Sequence, residues 1–82
     1  MDSFADKVII TFHSHYDAVR QKKKLTASAV SCELIPVPRF LSSSCGTALM
    51  LDGRDYDAAL LIDEAESVNI YQEGRWSDLR QQ

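Results

Sequence analysis

Five consecutive residues near the start, Val8-Ile9-Ile10-Thr11-Phe12, restrict what this chain can become more than any other feature. Four are β-branched and the fifth is aromatic, side chains that are stiff in a helix and pack well on a pleated surface. The run predicts a buried strand over 7–12. His13-Ser14 ends it. Ser14 can cap a helix whose first turn carries Asp17 near the positive end of the dipole. That helix is expected from 15 to about 27, with a thin apolar stripe of Ala18, the stem of Lys22, Leu25 and Ala29, and with Tyr16 and Val19 alongside.

Residues 30–37 alternate, with Val30, Cys32 and Leu34 on one face and Ser31, Glu33, Ile35 and Val37 on the other. Pro36 and Pro38 bar this second strand from the middle of a ladder, so it belongs at an edge or leaves the sheet there. Arg39 to Gly46 reads as a loop. Thr47-Ala48-Leu49-Met50-Leu51 fits a third strand closed by the turn signal Asp52-Gly53. Asp55 is the expected cap of a second helix over roughly 55–66, with Tyr56, Ala59, Leu60 and Ile62 inward. Val68-Asn69-Ile70-Tyr71 alternates as a fourth strand. A tail follows Gly74 and carries the single tryptophan, Trp76.

The order β-α-β-β-α-β is a recurring split unit. It predicts an α+β, ferredoxin-like sandwich: a four-stranded antiparallel sheet with two helices on one face. One domain over 1–82 is expected, with its core at 7–72 and the tail at 74–82. In that topology the first two strands run parallel, so their ends meet at one edge of the sheet. His13, Ser14 and His15 are thereby brought towards the Arg39–Gly46 loop.

Composition narrows the function classes. A chain of 82 residues buries only about 60–65% of its unfolded surface, which allows one two-layer core but not a deep cofactor pocket. Two cysteines are too few for a disulfide scaffold or a four-cysteine metal site. The net charge of −3 is uneven. Residues 1–50 hold Lys7, Arg20, Lys22, Lys23, Lys24 and Arg39 against Asp2, Asp6, Asp17 and Glu33, whereas residues 51–82 hold eight acids against three bases. This is a polarised surface more than a nucleic-acid footprint, and Lys22-Lys23-Lys24 reads as a solvated helix face. No basic segment followed by an apolar run opens the chain, and no apolar run approaches 18 residues. A cytoplasmic protein with neither membrane nor nucleic acid as partner is the expectation.

The most unusual stretch is Pro36-Val37-Pro38-Arg39-Phe40-Leu41-Ser42-Ser43-Ser44-Cys45-Gly46. Gly46 permits a positive φ and close backbone approach, and the hydroxyls of Ser43 and Ser44 can donate to a thiolate. Arg39, a protonated histidine or the first N–H groups of the first helix would favour the anionic form of Cys45. The competing reading is a solvated turn with an incidental cysteine. Cys32, on an apolar strand face, reads as a buried and inert thiol. A Cys32–Cys45 disulfide requires Cα atoms within about 7 Å, which a strand and a loop position do not favour. His13, His15 and Cys45 together suit zinc or copper by type, but three ligands lack a clear fourth, so no metal is expected.

Ile9-Ile10-Thr11-Phe12-His13-Ser14, Leu34-Ile35-Pro36-Val37-Pro38-Arg39 and Ser42-Ser43-Ser44-Cys45-Gly46 together resemble the selenium/sulfur carrier-like family of small bacterial domains. The resemblance spans residues 8 to about 71. It implies that Cys45 carries sulfur or selenium as a persulfide or perselenide. A cysteine desulfurase-like donor and an acceptor protein would be the partners, with no cofactor. Arg39, Ser43, Ser44 and Gly46 would then stabilise the anion, while His13 or His15 moves protons. Such a chain is a carrier rather than a stand-alone enzyme. Two stretches depart from the pattern. Gln21-Lys22-Lys23-Lys24 is more basic than the family's helix, and Met50-Leu51-Asp52 stands where an arginine and an aromatic residue are expected. Neither removes the Cys45 loop. The alternative reading is a non-catalytic interaction or regulatory module, pairing with another chain through its edge strand near Pro36.

Overall fold

The β-branched run becomes the central strand of the sheet. In the computed structural model, which describes residues 6–39, 41, 45–72 and 74–79, β1 is Lys7–Phe12, α1 is His15–Ala27, β2 is Cys32–Pro36 and β3 is Thr47–Asp52. Two 3-10 turns, Gly53–Asp55 and Ala58–Leu60, lead to β4 (Ala65–Gln72) and β5 (Arg75–Asp78). The strands form one antiparallel sheet in the order β2-β3-β1-β4-β5. Because β1 and β2 are each antiparallel to β3, they run parallel to each other, as a crossover through α1 requires.

β1 alternates between two faces. Val8, Ile10 and Phe12 point to the face that carries α1, where they pack with Ala18, Leu25, Leu49, Leu51, Ile62, Ala65 and Val68. Phe12, Ile10 and Leu49 are almost fully buried, so truncating any of them to alanine would cost about 2–5 kcal/mol. Ile9 and Thr11 face the other way and are also buried, flanked in the sheet by Met50 and Ala48 on β3 and by Asn69 and Ser67 on β4. There the Thr11 and Ser67 hydroxyls lie 2.6 Å apart, and Asn69 Nδ2 donates to Ser67 Oγ at 2.9 Å.

α1 begins as its sequence dictates, with Ser14 Oγ accepting from the Asp17 N–H at 3.2 Å. It ends in a Schellman motif: Ala29 N–H donates to Thr26 O and Val30 N–H to Leu25 O. Ala29 occupies the left-handed position at φ 63°, where glycine is usual. The buried face of α1 is Ala18, Gln21 and Leu25. The expected stripe through Lys22 and Ala29 is therefore corrected: Gln21 takes the inner position, Lys22 is only half-buried and Ala29 is exposed.

That glutamine explains the main difference from the expected fold. The second helix expected over 55–66 is absent from the described residues, replaced by the two 3-10 turns. In a helix, the Ile62 N–H would donate to Ala58 O, and Leu60 O would accept from the Glu64 N–H. Instead Ile62 N–H donates to Gln21 Oε1 at 2.9 Å, and Gln21 Nε2 donates to Leu60 O at 3.0 Å. The buried amide thus satisfies one donor and one acceptor of a crossover that makes no α-helix. Asp57, not Asp55, supplies the local cap, accepting from the Ala59 N–H at 2.9 Å. Tyr56, Leu60, Leu61 and Ile62 still pack onto the core, on the α1 side of the sheet. The order β2-β3-β1-β4 is that of the expected split unit, and the α+β class stands with one helix rather than two.

The fifth strand is the other correction. The segment read as a tail turns at Gly74, φ 79°, and β5 pairs back onto β4. Tyr71 and Trp76 face each other across this hairpin, edge to face, with ring centroids 5.0 Å apart, a geometry that adds about 0.5–1.5 kcal/mol to simple burial. At the other end of β3, Gly53 is required by contact. A Cβ there would lie 2.8 Å from the Asp6 carbonyl oxygen, which itself accepts from the Gly53 N–H at 2.8 Å.

Candidate functional site

β2 and β3 form a hairpin whose long connection contains Cys45. The ladder continues one pair beyond β2, with Val37 N–H donating to Gly46 O at 3.1 Å. In an antiparallel ladder the neighbouring residue then has its nitrogen on the outer side. Pro36 therefore sits where its missing N–H leaves no gap, on an edge strand, as the sequence requires. Leu41 N–H donates to Pro38 O at 2.9 Å, so the chain turns directly after Pro38. Gly46, at φ 75°, then redirects it into β3.

Cys45 stands at the end of this connection and is half-buried against the core on the α1 side. Its thiol donates to the carbonyl of Thr47 at 3.5 Å. The Thr47 hydroxyl lies 3.3 Å from His15 Nδ1, and His15 is the first residue of α1. The positive end of the α1 dipole is therefore beside the start of β3, two residues from Cys45. Thr47 is the residue that sequence reasoning missed. Its only signal was its position, the first of β3 and two after Cys45.

The expected cluster is only partly assembled. His15 joins the Cys45 neighbourhood through Thr47. His13 does not: a β-bulge in β4, between the pairs Thr11–Ser67 and Phe12–Ala65, presents Glu66, whose Oε2 lies 3.4 Å from His13 Nδ1. Arg39 is exposed at the turn after Pro38. Ser43 and Ser44 lie outside the described residues. Among the described residues, no group of three or more His, Cys, Asp and Glu side chains could hold a metal ion. No helix among them is long and apolar enough to cross a membrane.

The two cysteines are both free, and the topology separates them. Cys32 opens β2 and pairs with Leu51 near the end of β3, whereas Cys45 precedes the start of β3. A depression of about 310 Å³ beside Cys32 is lined by Lys7, Glu33, Asp52 and Asp55, at the opposite end of the sheet from Cys45. Lys7 and Asp52 pair there at 3.5 Å. Charge is also fixed on the outside of α1, where Arg20 bridges Asp17 and Glu64. Its hydrogen bond to Glu64 raises the guanidinium pKa above its ordinary value.

A family model described as "Putative Se/S carrier protein-like" matches residues 7–73, from the first residue of β1 to just past the end of β4. The chain belongs to this family. The match includes β1, α1, the β2–β3 hairpin with the Cys45 connection, the crossover and β4, while β5 lies beyond it. Comparison with curated proteins and with solved structures gives no match.

Proposed function

We propose that this protein carries sulfur or selenium as a persulfide or perselenide on Cys45. The observation that carries the reading is the half-buried Cys45 at the mouth of the β2–β3 hairpin, joined through Thr47 to the first residue of α1, within the segment matched by the carrier family. A partly enclosed thiol suits this task. It can be reached by another protein's persulfide, and the bound chalcogen is sheltered from bulk solvent.

The chemistry needs no cofactor. The Cys45 thiolate attacks the outer sulfur of a donor persulfide, the donor's S–S bond breaks, and the donor cysteine leaves as a thiolate with the electron pair. The new Cys45–S bond replaces the one lost, so nothing is oxidised or reduced overall. Handing on repeats the step with an acceptor thiolate attacking the outer sulfur. A cysteine desulfurase-like enzyme is the donor this chemistry requires, and the acceptor is a second protein thiol. Arg39 and the backbone at Gly46, at the two ends of the connection that carries Cys45, would favour the loaded anion. His15, which meets the hydroxyl of Thr47 two residues from Cys45, is the histidine suited to exchange a proton with the site. A bacterial cytoplasm, where thiols remain reduced, is the compartment such a carrier needs.

The test is incubation with a cysteine desulfurase and cysteine, followed by intact-mass spectrometry. The reading predicts a gain of one sulfur, about 32 Da, reversed by a reducing thiol. A wild-type protein that stays at its starting mass would refute it and leave the interaction-module reading.

A further inference from the structure

The carrier reading leaves open how the thiol is kept from reacting with the wrong partner, and the contacts at Thr47 bear on that question. We infer that Thr47 is a positioning residue for the Cys45 thiol and that His15 acts through it, together forming a latch that holds the resting thiol against the start of β3. The inference rests on the carrier reading for its purpose but on geometry for its content.

Thr47 is held from two sides. Its carbonyl accepts the Cys45 S–H at 3.5 Å, and its hydroxyl meets His15 Nδ1 at 3.3 Å. The first contact is available only while the thiol keeps its proton, because a carbonyl oxygen offers nothing to a thiolate. The second ties the residue to the first turn of α1, which Ser14 and Asp17 cap and which the core fixes through Ala18 and Leu25. Thr47 also pairs with Pro36 at the edge of the sheet. The latch is therefore anchored on a rigid helix start, and the reactive side chain hangs from its other end.

This arrangement divides the two histidines by role. His15 bears on the thiol's environment through one intervening residue, whereas His13 is turned to Glu66 by the β4 bulge. A partner that approaches the Cys45 loop would have to displace the thiol from Thr47 before transfer. The resting carrier then reacts slowly with small electrophiles although its thiol is only half-buried. The alternative is that both contacts are incidental features of a tight connection, with no effect on reactivity.

The experiment compares iodoacetamide alkylation of Cys45 across a pH series, with Cys32 in the same molecule as the internal standard. Thr47→Val removes the hydroxyl but keeps a β-branched strand residue, so the fold is retained. Thr47→Val and His15→Ala are each expected to raise the neutral-pH rate of Cys45 about two- to five-fold, the scale of one hydrogen bond. Thr47→Ser is expected to restore the wild-type rate. Tyr16→Ala, on the exposed face of the same helical turn, is expected to leave it unchanged. An unaltered rate in folded Thr47→Val, or an equal rise in Tyr16→Ala, would overturn the latch. Desulfurase loading is scored separately on the same preparations. Accelerated alkylation without sulfur uptake would keep the latch and remove the carrier reading, and uptake without acceleration would do the reverse.

Discussion

Replacing Gln21 with leucine tests the packing argument at its most specific point. The side chain is fully buried and makes two hydrogen bonds to the crossover, at 2.9 Å from the Ile62 N–H and 3.0 Å to Leu60 O. Leucine fills a similar volume but leaves both groups without a partner. The Ile62 N–H lies in a residue that is 7% exposed, so its loss costs about 1–3 kcal/mol. Leu60 is half-buried, and water can satisfy its carbonyl in part, so about 1 kcal/mol is reasonable there. Burying an apolar side chain in place of an amide returns about 1 kcal/mol. The net expectation is a loss of about 1–3 kcal/mol, a large share of the roughly 5–10 kcal/mol of a domain this size. Urea unfolding followed by Trp76 fluorescence and by far-ultraviolet circular dichroism measures it. Amide exchange at Ile62 localises it, because that proton should lose protection first. A loss below about 0.5 kcal/mol, within the range of ordinary surface substitutions, would refute the claim that Gln21 stands in for the missing helix. So would an Ile62 amide that stays protected.

The same site gives a pH signature, and two backbone positions give further tests. In Gln21→Glu, a protonated carboxyl can donate to Leu60 O and accept from Ile62 N–H as the amide does, whereas the carboxylate cannot donate. Burial and that hydrogen bond raise its folded-state pKa above the unfolded value of about 4.3, so this variant should lose stability as pH rises from there. A midpoint independent of pH between 4 and 8, about the span in which such a group titrates, would contradict it. Ala29→Gly relieves a left-handed alanine at the Schellman position and should stabilise the protein by about 0.5–1 kcal/mol; a lower thermal midpoint would count against the assigned geometry. Gly53→Ala forces a Cβ to 2.8 Å from the Asp6 carbonyl and 3.3 Å from Ile70 Cδ1, and should destabilise by more than about 1 kcal/mol. Unchanged unfolding there would mean that the Asp6–Gly53 approach is not fixed.

The contrast between what was legible and what was not follows from whether a signal is local. The strand 7–12, the Ser14 cap, the helix 15–27, the edge placement of Pro36 and the Asp52-Gly53 turn rest on neighbouring residues, and each is found in the structure. The second helix was misread because Ala58-Ala59-Leu60-Leu61-Ile62 looks helical by composition. Its backbone partner is a glutamine 39 and 41 residues away. The clue was a polar residue at position 21, three after Ala18 and four before Leu25, inside the helix's own apolar spacing. β5 was hidden because four residues are too few to show alternation. Gly74 between Tyr71 and Trp76 was the only hairpin signal. At the site, topology correctly implied that the start of α1 meets the Cys45 connection. Which histidine would arrive depended on a bulge in β4, and nothing in residues 13–15 encodes that bulge.

The central claim, that Cys45 is the carrying atom, can be tested with a single peptide map. Arg39 lies between the two cysteines, so trypsin releases Cys32 on the peptide from Leu25 to Arg39 and Cys45 on the peptide from Phe40 to Arg54. After loading by a desulfurase and alkylation of the persulfide, the added sulfur should appear on the second peptide alone. It should vanish in Cys45→Ser and persist in Cys32→Ser. Sulfur on the Cys32 peptide, or retained by Cys45→Ser, would contradict the account.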